Sequence, residues 1–250
     1  MNDTADIWEK LRRLTRARIG LGRAGDGLPT RALLEFQMAH AAARDAVHGT
    51  ADFDRIAADL APREVIRLAS AAPDRATYLR RPDLGRRLAD GETEKLPAGP
   101  FDVVFVVADG LSAAAVDANA AATLEATARR LAGLTIGPVV LARQARVALG
   151  DVVGAAMNAS VVAVLIGERP GLTAADGLGV YLTFRPVPGR KDSERNCLSN
   201  IHAHGMSPEE AGHKAAWLIR EALRLKLTGV DLKEAAPRFA VEADEAARIG

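Results

Sequence analysis

The chain has 250 residues, 48% of them hydrophobic and 26% charged, and a formal net charge of +1. That balance excludes wholesale disorder and lacks the basic excess of a nucleic-acid binder. One cysteine, Cys197, excludes an intrachain disulfide and fits a reducing compartment. The start, MNDTADIWEK, has no signal-peptide core, and no apolar run approaches the ~20 residues of a membrane span, so a soluble cytoplasmic protein is expected.

The length suits one larger and one smaller domain. Residues 1–95 read as a smaller all-helical domain with no strand signal. Ile7, Leu11 and Leu14 recur at helical spacing between Lys10, Arg12, Arg13 and Arg16. The loop GLGRAGDGLP (20–29) leads to a second helix over 30–47, opened by Pro29 and Thr30. Shorter helical pieces are expected over 51–70 and 83–90. GETEKLPAGP (91–100) clusters glycine and proline and reads as a linker.

Residues 96–250 read as an α/β domain with a Rossmann-like, mostly parallel sheet flanked by helices. DVVFVVAD (102–109) has the continuous apolar character of a strand buried on both faces. A helix over 111–131, a strand over 138–142, and a short extended stretch leading to a helix near 151–158 follow. Strands are expected at 161–168 and 180–186. The last helix opens on Ser207-Pro208-Glu209-Glu210, a capping-box pattern with proline at the first helical position. Ala211, Ala215, Leu218, Ala222 and Leu225 mark its buried face, and Gly229 is expected to supply a left-handed stop.

Gly20-Leu21-Gly22-Arg23-Ala24-Gly25 matches the G-x-G-x-x-G string of dinucleotide sites. Those glycines serve a pyrophosphate only between a strand and a helix, and the residues before them are basic and helix-patterned. A helix–loop–helix turn with positive-φ glycines is the better reading. Arg16, Arg18 and Arg23 around it read either as a partner contact or as a solvated face. Asp109 and Glu168 both stand at carboxyl ends of expected strands, where ligands of open α/β sheets gather. Asp109 could instead cap the next helix, as could Ser112. Pro170 and Gly171 keep the chain after Glu168 out of a helix, which favours a ligand role for that carboxylate. Cys197 has His202 and His204 nearby in sequence, yet a lone cysteine is more often a small buried hydrophobe than a nucleophile. The five histidines lack zinc-site spacing, so no metal site and no catalytic residue is expected. None has an aspartate two residues before it, so the Asp-x-His-x-x-Gly ligand pattern is absent.

Three stretches together resemble the small (light) subunit of ethanolamine ammonia-lyase: TRARIGLGRAGDGLPTRALLEFQMAHAAARDAVH (15–48); VVADGLSAAAV (106–116) with RQARVALGD (143–151); and LIGERPGL (165–172) with RNCLSNIHAHG (195–205). The resemblance implies a subunit, inactive alone, of an adenosylcobalamin-dependent lyase that converts ethanolamine to acetaldehyde and ammonia by a radical mechanism. It implies a large (heavy) subunit as partner, in a hetero-oligomer whose substrate is held mainly by that partner. It also implies cobalamin contacts from Val147, Glu168 and Cys197. The arginine-rich, helix-patterned start and the glycine loop lead separately to the expectation that residues 1–48 of the helical part form an arm facing the partner. The setting implied is ethanolamine degradation in the cytoplasm, free or inside a bacterial microcompartment. Two other readings compete: a self-sufficient nucleotide-dependent enzyme, resting on GLGRAG alone, and a structural partner that does not touch the cofactor.

Overall fold

A computed structural model describes residues 3–15, 17–237 and 239. Arg16, one of the arginines expected around the glycine loop, lies outside the described residues. The chain opens with α1 (Asp3–Leu14) and α2 (Thr30–His48), followed by α3 (Phe53–Asp59), β1 (Val65–Ala69) and α4 (Arg75–Arg80). Then β2 (Phe101–Ala108), α5 (Ala113–Ala128), β3 (Val139–Arg143), α6 (Leu149–Ala156) and β4 (Ala159–Gly167) alternate. The chain continues with β5 (Leu178–Phe184), β6 (Asn196–Ile201) and α7 (Pro208–Leu225).

The six strands form one mixed sheet in the order β1-β3-β2-β4-β5-β6. β1 to β4 run parallel, whereas β5 and β6 are antiparallel to their neighbours. The physical reason is the connection. Parallel pairing needs a crossover, usually a helix, and residues 168–177 between β4 and β5 contain none. The expected mostly parallel sheet is thus parallel over four strands and antiparallel at one edge.

Residues 1–95 are not all helical. Val65–Ala69 is a strand that pairs in register with Val139–Arg143, and so it extends the sheet. Its backbone amide at Ala69 also donates to the Glu92 carboxylate at 3.1 Å, which fastens the 91–100 segment to the sheet edge.

Alternation along the buried strands sorts side chains onto two faces. Val103, Phe105, Val107, Ala163 and Leu165 face α5 and α7, together with Leu124, Leu218 and Ile219. Val104, Val106, Val162 and Val164 face α6, together with Leu149, Val153 and Met157. Layers of helix thus cover both sides. With few aromatics, the core is close-packed aliphatic: a Cβ on Gly212 of α7 would collide with Ala126 of α5.

Helix ends follow local chemistry. Ser112 Oγ accepts from Ala115 N at 3.1 Å and caps α5; Ser207 Oγ accepts from Glu210 N at 3.1 Å and caps α7. Glu210 does not close a reciprocal box but pairs with Lys214 at 3.0 Å. The left-handed stop of α7 is Lys226, φ 60°, rather than Gly229, which takes φ 94° three residues later. Leu225, expected on the buried face, is exposed.

Candidate functional site

The parallel strands β3, β2 and β4 end side by side, and the chain leaves them in different directions. After β2 it turns to α5 on one face; after β3 it turns to α6 on the other. Where such connections diverge, a crevice opens at the strand carboxyl ends. A cleft of about 380 Å³ lies there, lined by Tyr78, Leu111, Arg146, Val147, Ile166, Gly167, Glu168, Arg169 and Tyr181.

Two glycines let the ends of β2 and β4 close on each other beside it. Gly110 has φ 57°, and a Cβ there would strike the Gly167 carbonyl; a Cβ on Gly167 would strike the Ser112 carbonyl. Without side chains the two backbones close to a Leu111 N to Gly167 O hydrogen bond of 2.8 Å, which brings Leu111 and Glu168 to one rim. The β2 end is fixed to the β3 end by Asp109. It is 3% exposed, and its two oxygens accept from Gln144 N at 2.9 Å and Ala145 N at 3.2 Å. Asp109 therefore neither caps α5 nor lines the cleft; it ties two loops together. Burial pushes its carboxyl up, and the backbone donors and the Arg75 charge oppose that shift.

The sequence-predicted residues converge here. Val147 and Glu168 both line the cleft. Glu168 Oε1 accepts from the Tyr181 hydroxyl at 3.3 Å. Tyr181 lies directly across from Cys197 in the β5–β6 register. Cys197 is not a cleft-lining residue; it stands one side chain away. Burial raises the Glu168 carboxyl above its usual range, and the Tyr181 hydrogen bond lowers it in part. Burial also raises the Tyr181 phenol. Cys197 is exposed on one side, but desolvation by packing on the other pushes its thiol up, and the Glu168 charge adds to this. The thiol form is therefore favoured, not the nucleophilic thiolate.

His202 supplies no base for Cys197. Its Nδ1 accepts from His204 N at 3.2 Å, so its Nε2 donates to Asn200 Oδ1 at 2.7 Å, and both ring nitrogens are engaged. Among the described residues, no group of three or more His, Cys, Asp or Glu could hold a metal ion. No described helix is long and apolar enough to cross a membrane.

Sequence reasoning missed Tyr78, Arg146 and Tyr181. Arg146 and Tyr181 sit next to or inside motifs already singled out; Tyr78 comes from a segment with no motif and is placed only by tertiary packing. The glycine loop follows no strand. Gly20, Gly22 and Gly25 take φ of 57°, 78° and 62°, and the Trp8 ring packs where a Gly20 Cβ would stand. Arg12 Nη1 donates to Gly20 O at 2.6 Å, so the loop folds back on α1. Arg18 Nη2 donates to Leu172 O at 3.2 Å, linking this loop to the one that carries Glu168.

Comparison with known proteins places these features in one lineage. A family model described as ethanolamine ammonia-lyase light chain (EutC) matches residues 5–233. The ethanolamine ammonia-lyase small subunit of Xanthomonas campestris pv. campestris (strain B100) is 51% identical over 253 residues, covering 97% of this chain and 93% of its own. The small subunit of Bradyrhizobium diazoefficiens is 52% identical over 232 residues, covering 90% and 89%. That of Pseudomonas syringae pv. tomato is 47% identical over 253 residues, covering 97% and 88%. The match runs across the arm, the sheet and both rims of the cleft, and the chain belongs to the ethanolamine ammonia-lyase light-chain family.

Proposed function

We propose that this chain is the small subunit of an adenosylcobalamin-dependent ethanolamine ammonia-lyase and forms one wall of the cobalamin site against a large subunit. The observation that carries the reading is convergence. Val147 and Glu168, distant in sequence, meet at one cleft on the carboxyl edge of the sheet, and Cys197 stands behind it, across from the cleft-lining Tyr181 that donates to Glu168. The residues suit the edge of a corrin. Leu111, Val147 and Ile166 offer apolar surface, and the Glu168 oxygens can accept from the amide groups on the corrin rim. The cleft is far smaller than a whole corrin, which agrees with a cofactor shared between two chains.

Adenosylcobalamin supplies the radical chemistry; this chain binds and orients. Glu168 acts as a hydrogen-bond acceptor fixed by Tyr181, and Cys197 packs behind that pair. No catalytic role falls on this subunit, and ethanolamine is held mainly by the large one. Residues 96–250 carry the cofactor contacts, and within residues 1–95 the arm of residues 1–48 faces the partner. Exposed Ile7, Leu11, Leu14, Leu33, Leu34 and Met38 on α1 and α2 support that assignment. The assembled enzyme works in the cytoplasm, free or in a bacterial microcompartment.

The test is reconstitution. The purified chain with adenosylcobalamin should release no acetaldehyde or ammonia from ethanolamine, and co-expression with a large subunit should restore both. Turnover by the rigorously purified single chain would sink the reading.

A further inference from the structure

Besides Glu168, the cleft lining carries two cationic side chains, Arg146 and Arg169, whose occupant is unassigned. The guanidinium of Arg146 stacks over the Tyr78 ring at 4.2 Å, and that of Arg75 approaches the same ring at 4.9 Å. Tyr78 is fully buried and donates its hydroxyl to Ala145 O at 3.0 Å. Burial moves its phenol up to about 12, so the ring stays neutral and presents only its π faces to the two cations.

The two arginines differ in what satisfies them. Arg75 donates to Val47 O and Gly110 O, each at 2.7 Å, and to Gln144 Oε1 at 3.4 Å; although its buried Nη2 has no partner, these bonds commit it to the fold, and it does not line the cleft. Arg146 makes one long side-chain hydrogen bond, Nη2 to Tyr78 O at 3.4 Å, and its Nε is buried without a partner. Its side chain makes no ion pair with any described residue, and it lines the cleft. The anionic group nearby, Asp109, is already occupied by two backbone amides. Arg169 adds a further positive charge to the same lining. A guanidinium held rigid by stacking, with donors unused, is prepared for a planar or tetrahedral oxyanion.

We infer that Arg146 is a ligand-binding residue that donates to a phosphodiester oxygen of the bound molecule in the cleft that Glu168 also lines. This rests on the cobalamin reading above, under which the one anionic group of the cofactor is the phosphodiester of its nucleotide loop. The neutral amide carbonyls of the corrin rim are the other acceptors within that molecule. The excess of cationic groups in this lining favours the anion.

The experiment titrates cobalamin and cobinamide, which has the same corrin and amides but no phosphodiester, into the assembled two-subunit complex. The absorbance of the corrin band is followed for the parent, Arg146→Gln and Arg146→Lys. Arg146→Gln should weaken cobalamin about ten- to a hundredfold and leave cobinamide nearly unchanged. Arg146→Lys, which keeps the charge and loses the fork, should fall between. Equal loss for both corrinoids would overturn the phosphodiester assignment in favour of amide recognition. Unchanged cobalamin binding by Arg146→Gln would overturn any binding role for Arg146. Glu168→Gln is measured alongside: if it too binds cobalamin like the parent, the cleft reading itself has failed rather than this extension of it.

Discussion

Glu168 reaches its position because Gly179, on the adjacent strand β5, has no side chain. A Cβ on Gly179 would meet Glu168 Oε1 and press on the Tyr181 ring. Because the first collision is with the flexible end of a side chain, Gly179→Ala should displace the carboxylate while the sheet survives. The expected result is a cobalamin affinity lowered about as much as by losing the Glu168 hydrogen bond, roughly tenfold or more, with an unchanged unfolding midpoint. Equilibrium binding beside thermal denaturation checks it. The raised Glu168 carboxyl also has a thermodynamic sign. The folded state holds that proton more tightly than the unfolded chain does, so its contribution to stability is present at low pH. It is lost as pH rises from the ordinary glutamate range through the raised value.

The β5–β6 edge depends on a charge pair hidden beneath it. Arg195 donates to both oxygens of Asp151 at 2.6 Å and to Thr183 Oγ1 at 2.8 Å, with the two charged side chains 2% and 1% exposed. Asp151 lies in the first turn of α6, four residues after Val147; Arg195 lies two residues before Cys197. The pair therefore ties the two elements that carry those residues. Asp151→Ala should cost about 3–5 kcal/mol by stranding a buried guanidinium, read as a lower denaturant midpoint. Replacing both partners by apolar residues should recover much of the loss, since a buried pair is weak evidence of net stabilisation. Most of this architecture was legible. β2 to β5 announced themselves as β-branched apolar runs, and α7 by its Ser-Pro start. β1 and β6 did not, because each is an edge strand. VIRLA places Arg67 in its middle, and NCLSNI exposes Cys197, Ser199 and Asn200. A strand bonded on one side needs no apolar run, so its pattern fades. The ion pair was illegible for another reason: Asp151 and Arg195 are forty-four positions apart and only the sheet brings them together.

At the scale of the whole molecule, the proposed function has the chain completed by a large subunit. The chain's apolar exposure gathers on α1 and α2, and Arg18 links that arm to the loop carrying Glu168. Deleting residues 1–28 should sharply reduce co-purification with the large subunit, while the sheet domain keeps its circular dichroism; full-yield co-purification of the truncated chain would remove the arm from the interface. The place of Glu168 in the cleft was legible because it follows a strand at its carboxyl end, whereas Val147 was reached only through the family resemblance. Tyr181, which connects Glu168 to Cys197, was not legible, because its role follows from strand register alone. The most direct measurement is a cobalamin titration of the assembled complex, comparing the parent with Glu168→Gln and Cys197→Ala. Glu168→Gln keeps the shape but turns one acceptor into a donor. It should bind about ten- to a hundredfold more weakly with assembly intact, and Cys197→Ala should change binding less, since a thiol is a weak partner. Parent-like binding by Glu168→Gln together with abolished activity in Cys197→Ala would contradict the account and make the cysteine a chemical participant.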